Sequence, residues 1–115
     1  MYLGKWAIDD YLTFAVQVHD DTGAAADADA VPSYAIYEDE TAAALVTGNM
    51  AKLGAVTGFY TERVQLTAAS GFEAGKVYAV RVAATVGGIA AAKADTFQID
   101  SVTNSALATL IAGLG

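Results

Sequence analysis

The stretch HDDTGAAADADA, His19 to Ala30, brings the only histidine of the chain together with Asp20, Asp21, Asp27 and Asp29. Three chemistries could use such a set. Nucleophilic catalysis needs a nucleophile, a base that activates it and a third group that orients the base. His19 is the only imidazole, and no serine stands in a G-x-S-x-G elbow, so His19 reads as a residue at the solvent end of a strand. Calcium binding needs six to eight oxygens, supplied in loops by D-x-[DN]-x-[DN]-G with a terminal Glu. Here Thr22–Gly23 follow Asp20–Asp21 directly, and three alanines precede Asp27. The spacing fits no calcium loop. Four carboxylates gathered without an ion would repel by on the order of 1 kcal/mol per close pair. DTG therefore predicts a turn, and AAADADAVP an open, mobile acidic connection.

The remaining candidates are weaker. Asp9–Asp10, Asp20–Asp21 and Glu38–Asp39–Glu40 are sequence neighbours, which point to opposite faces of an extended chain rather than flank one bond as glycosidase carboxylates do. They read as strand ends and turns. Phosphate-cradling glycine loops of the G-x-x-x-x-G-K-[ST] and G-x-G-x-x-G kinds are absent. Without cysteine there is no disulfide, thiolate zinc site or cysteine nucleophile. No catalytic residue, metal or cofactor is expected.

The elements that must position these residues follow a period of two. Leu12, Phe14, Val16 and Val18 alternate with Thr13, Ala15 and Gln17; Tyr34 and Ile36 share a face after the single proline. ALV and MAKL are short apolar runs. Tyr60, Val64 and Leu66 alternate with Thr61, Arg63 and Gln65, then come Tyr78, Val80, Val82 and Val86, and DTFQI closes the set with Phe97 and Ile99. The pattern predicts an all-β fold, an antiparallel immunoglobulin-like β-sandwich of about seven strands over residues 1–103. GKVYAVRV, Gly75 to Val82, has the form of a tyrosine corner. Gly87–Gly88 is a two-residue hairpin signal. A simple hairpin there sets Val80 against Asp95 and Val82 against Lys93 on the core face, which predicts a bulge or longer loop between Ile89 and Asp95.

Residues 104–115 break the alternation. Leu107, Leu110, Ile111 and Leu114 fall at helical spacing, with Asn104 or Ser105 as N-cap and Gly113 as stop. So short a helix is marginal alone. Its stripe is expected to dock, on its own sandwich or in a neighbouring subunit.

With 115 residues the chain suits one domain. Its apolar runs are far shorter than the ~20 residues of a membrane span, and MYLGKWAIDD lacks the form of a signal peptide. A soluble protein without membrane contact is expected. The net charge is −7, and Lys5, Lys52, Arg63, Lys76, Arg81 and Lys93 are scattered. Nucleic acid is disfavoured, because binding needs a basic stripe that displaces counterions.

The segments YLGKWAIDDYLTF, DTGAAADADAVPSYAIYEDET, TGFYTERVQLTAASGFEAGKVYAVRVAATVGG and TFQI, taken in that order, resemble small immunoglobulin-like virion structural proteins of tailed bacteriophages and prophages. The likeness lies in the order and spacing of a Y-L-G-x-[F/W]-A opening, a TGAPT-type loop, a VYED strand, TGFY, a G-x-x-Y strand and a closing GG hairpin. It spans nearly everything but the tail. Lys5 and the proline-poor AAADADA depart from the usual pattern. The resemblance implies a non-enzymatic virion component, assembled in the host cytoplasm, whose partners are capsid, neck or tail proteins and copies of itself. The contact candidates are large apolar residues near the chain ends: Tyr2, Leu3 and Trp6, and Leu107, Leu110, Ile111 and Leu114. Trp6 could equally lid its own core. The competing expectation is a carbohydrate- or cell-surface-binding module of a tail tip or fibre, using exposed rings among Trp6, Tyr11, Tyr34, Tyr37 and Phe59.

Overall fold

Side chains alternate across a strand, so each run with period two presents one apolar face, and two such faces bury each other. A computed structural model describes residues 1–100, and within them eight strands form two sheets packed as a sandwich. The strands are β1 (Tyr2–Trp6), β2 (Tyr11–Gln17), β3 (Ser33–Glu38), β4 (Ala44–Asn49), β5 (Ala51–Lys52), β6 (Phe59–Gln65), β7 (Val77–Val86) and β8 (Ile89–Ile99). One sheet runs β1-β8-β7-β3-β4 and the other β2-β6-β5. The helix expected over 104–115, with Leu107, Leu110, Ile111 and Leu114, lies outside the described residues.

The alternating residues are the core. Leu12, Phe14 and Val18 from β2 and its end, Tyr34 and Ile36 from β3, Tyr60, Val64 and Leu66 from β6 and its end, Tyr78, Val80 and Val82 from β7, and Phe97 and Ile99 from β8 are all buried. Phe14 meets Tyr34 edge-on across the two sheets, with ring centroids 5.1 Å apart. Towards one end Tyr78 stacks on its cross-strand partner Phe97 at 5.4 Å. Phe72, from the connection between β6 and β7, packs edge-on against Tyr78 at 5.0 Å. Such ring pairs add about 0.5–1.5 kcal/mol each beyond their buried area.

The tyrosine-corner hydrogen bond forms. The fully buried Tyr78 places its hydroxyl 2.7 Å from the Glu73 N–H, which donates to it, where the chain crosses from β6 in one sheet to β7 in the other. Burial holds the Tyr78 hydroxyl above its ordinary pKa. The Gly87–Gly88 turn forms as well, with φ of +57° and +80°, the pair of positive values a type I′ hairpin requires.

Two sequence expectations need correction. The sandwich is not purely antiparallel, because β1 runs parallel to β8, pairing Tyr2 with Thr96 and Trp6 with Ile99 across a bulge that Gly4 accommodates at φ +96°. Nor is there a bulge between Ile89 and Asp95. The ladder runs unbroken from Val86↔Ile89 through Val82↔Lys93 and Val80↔Asp95 to Val77↔Gln98. Charge pairing removes the need for a register shift. The buried Asp95 carboxylate lies 3.2 Å from the Met1 ammonium and 3.3 Å from that of Lys93. Lys93 reaches its head into solvent from an apolar stem. A buried carboxylate is tolerated when paired in this way.

Candidate functional site

Between β2 and β3 the acidic stretch closes into a strap. Asp20 Oδ1 accepts from the Thr22 hydroxyl at 2.6 Å, the Thr22 N–H at 2.9 Å and the Ala24 N–H at 3.1 Å. These bonds, the hydroxyl first, hold the Asp20 carboxyl below its usual pKa. The DTG turn is thus an Asx-type turn, and His19 pairs through its backbone with Ala25 beyond it. Asp27 reaches the smaller sheet: Lys52 Nζ on β5 lies 2.8 Å from Oδ2, and the Gly58 N–H donates to Oδ1 at 2.7 Å. The Lys52 ammonium, then the Gly58 amide, keeps Asp27 ionised to lower pH than usual.

Asp29 reaches the larger sheet. Its two carboxylate oxygens accept from the Gly88 N–H at 2.9 Å and the Gly87 N–H at 3.0 Å, the tip of the β7–β8 hairpin, which likewise lowers its pKa. The Asp29 N–H donates to the Thr85 carbonyl, and the Ala28 N–H to the Tyr60 hydroxyl. The expected open, mobile connection is therefore a tied segment whose acids hold the two sheets at one end. Asp20, Asp27 and Asp29 are each committed to different partners, and among the described residues no three His, Asp or Glu side chains group as metal ligands. His19 stands exposed, and its side chain makes no hydrogen bond to a serine or threonine among the described residues.

The amino-terminal contact candidates divide. Tyr2 is 57% exposed. Leu3 and Trp6 are half-buried against the core, and the indole N–H donates to the Leu3 carbonyl at 3.0 Å. Trp6 thus packs on its own sandwich. Of the rings that could form a sugar platform, Tyr34 is core, Trp6, Tyr37 and Phe59 are half-buried, and the exposed Tyr11 is covered on one face by the Arg63 guanidinium, 3.9 Å from the ring centroid.

The surface left open by the described residues lies where the sequence signal was weakest, on the first half of β8. Strand β1 pairs with β8 only from Thr96 onward. The N–H groups of Thr96 and Asp100 point to β1, whereas that of Ile99 points to the β7 side. By the same alternation Ala90 and Ala92 aim their N–H and C=O groups at the outer edge, where no strand among the described residues meets them. Ile89 to Ala94 are all exposed, Ile89 by 63%. Beside this edge a groove of about 320 Å³ opens between the end of β2 and the hairpin. Val16, Val18, Val82, Ala84, Val86 and Ile89 form its apolar floor and wall, and Asp20, Asp21 and Lys93 stand at its margin. Alanine repeats and a single isoleucine gave no periodic contrast by which to find it.

No helix among the described residues is long and apolar enough to cross a membrane. The chain matches no family model, no curated protein and no solved structure.

Proposed function

We propose that this protein is a non-enzymatic structural component of a tailed-phage particle, an immunoglobulin-like module that works through contacts with other virion proteins and with copies of itself. The immunoglobulin-like reading draws support from the strand order. The series β8-β7-β3-β4 facing β2-β6-β5 corresponds to G-F-C-C′ facing B-E-D, with β1 added outside G. The Tyr78 hydroxyl bonding back across the β6–β7 connection is the second support.

The observation that carries the assembly reading is the β8 edge that no described strand covers, with its adjoining apolar groove. Unpaired strand edges invite another chain, and soluble folds ordinarily blunt them. An edge of backbone donors and acceptors beside an aliphatic groove is suited to another polypeptide. It offers little to a sugar, which would need a ring platform or an ion. Net charge of −7 favours solubility before assembly and basic patches on the partners.

The test is composition of purified particles. Mass spectrometry of virions should find the chain in stoichiometric proportion to other structural proteins, and disrupting its gene should yield altered or incomplete particles by electron microscopy. Absence from purified particles overturns the proposal. Calcium-dependent glycan binding by the purified protein would favour the sugar-binding module instead.

A further inference from the structure

We infer that the groove beside the β8 edge receives the apolar segment 104–115 of a second copy of this chain. The inference deepens the assembly reading by naming one partner and its seat, and it rests on that reading only for its biological setting.

Three observations lead to it. First, no described residue fills the groove on its apolar side: Val86 and Ala84 are half-buried, Ile89 is exposed, and the neighbouring edge of Ala90 and Ala92 meets no strand among the described residues. Second, residues 101–115 contain no charged side chain, in a chain of net charge −7. Two copies of net charge −7 repel each other, whereas a segment carrying Leu107, Leu110, Ile111 and Leu114 brings aliphatic groups to the acidic margin of Asp20 and Asp21 without adding a charged side chain.

Third, reach favours the neighbour over the same molecule. Segment 101–115 leaves β8 at the end away from the hairpin. Eleven residues of β8 place Ile99 about 33 Å from Ile89. Leu107 lies eight residues beyond Ile99, at most ~28 Å away when fully stretched. In its own molecule the chain would have to reverse and run taut along the sandwich: Leu107 would stop short of the Val86–Ile89 end, and Leu110, Ile111 and Leu114 would come within range of it only by giving up their shared helical spacing, which rises just 1.5 Å per residue. A second copy has no such tether.

The absence of cysteine makes the test clean. Full-length Ala91→Cys and Leu110→Cys variants, at an exposed groove position and on the apolar stripe, are purified, shown to be folded by circular dichroism, and mixed under mild oxidation. The mixed disulfide dimer should form in a yield on the order of tenfold above that of a control pairing Leu110→Cys with Ala68→Cys, because docking raises the local thiol concentration. Adding Ile89→Asp to the Ala91→Cys partner should reduce the yield to the control level. A yield at the control level from the original pair overturns the inference. So does a chain carrying both cysteines that closes within one monomer at high dilution, which would seat the segment in its own groove. These measurements use purified protein, so their failure leaves the virion proposal standing, and absence of the chain from particles leaves them untouched.

Discussion

At the residue scale, single side chains and single glycines do the joining. Gly58 has φ +70° and donates its N–H to Asp27, and a Cβ placed there would lie 2.5 Å from the Ala26 carbonyl oxygen and 2.6 Å from that of Val18. Gly58→Ala therefore combines left-handed backbone strain with a clash against fixed backbone. It is expected to lower unfolding free energy by about 2–4 kcal/mol in urea titrations. The strap aspartates set a pH dependence whose sign follows from their lowered pKa values. The unfolded chain begins to bind protons near 3.8 while folded Asp20, Asp27 and Asp29 remain ionised. Their contribution is thus fully present above 3.8, and is lost as pH falls through it towards the lower folded values. An Asp27→Asn/Asp29→Asn variant should be less stable at neutral pH and should lose less on acidification, which denaturant midpoints between neutrality and about pH 2 would show. Equal acid sensitivity of the two proteins would exclude the strap as its source. Lys52 behaves in the opposite sense: Asp27 raises its pKa, so its share of the pair persists until pH rises past 10.5.

Among the elements, the β7–β8 hairpin carries the longest exposed run on the larger sheet, Gly87 to Ala94. Its unbroken ladder is fixed by the Gly87–Gly88 turn, and the turn is gripped by Asp29. Because a Cβ at Gly88 would meet nothing within 4 Å, Gly88→Ala tests backbone strain alone. It should cost about 1 kcal/mol and speed amide hydrogen exchange at Thr85 to Ala91 before that of Val80 or Phe97. Uniform loss of protection would mean the hairpin does not open as a separate unit. The hairpin also shows why some elements were legible and others were not. Strands β2, β3, β6 and β7 alternate large apolar with polar residues, so their core faces could be read directly. Strand β1 contains a glycine, and the first half of β8 reads IAAAKA, where neither face is marked by size. Those strands form because a neighbour offers a ladder, a property of pairing rather than of local composition.

For the whole molecule, every buried core residue found lies between Leu12 and Ile99. Removing 104–115 should abolish self-association, as measured by sedimentation, and should leave the calorimetric midpoint essentially unchanged when compared at a dilution where the full chain is monomeric. A lowered midpoint would show that the segment packs on its own domain.

By itself the sequence determined the all-β class, the core faces of the alternating strands, the Tyr78 corner and the Gly87–Gly88 turn, because each depends on residues within a few positions of one another. Only the tertiary structure decided the parallel docking of β1, the pairing that lets Asp95 stay in the core, and the fate of HDDTGAAADADA. Asp27 meets its partners 25 and 31 residues away, and Asp29 meets Gly87 at a distance of 58. Hydrogen bonds of that span exist only once two sheets have been brought face to face by their apolar sides, so no local pattern of charge could announce them.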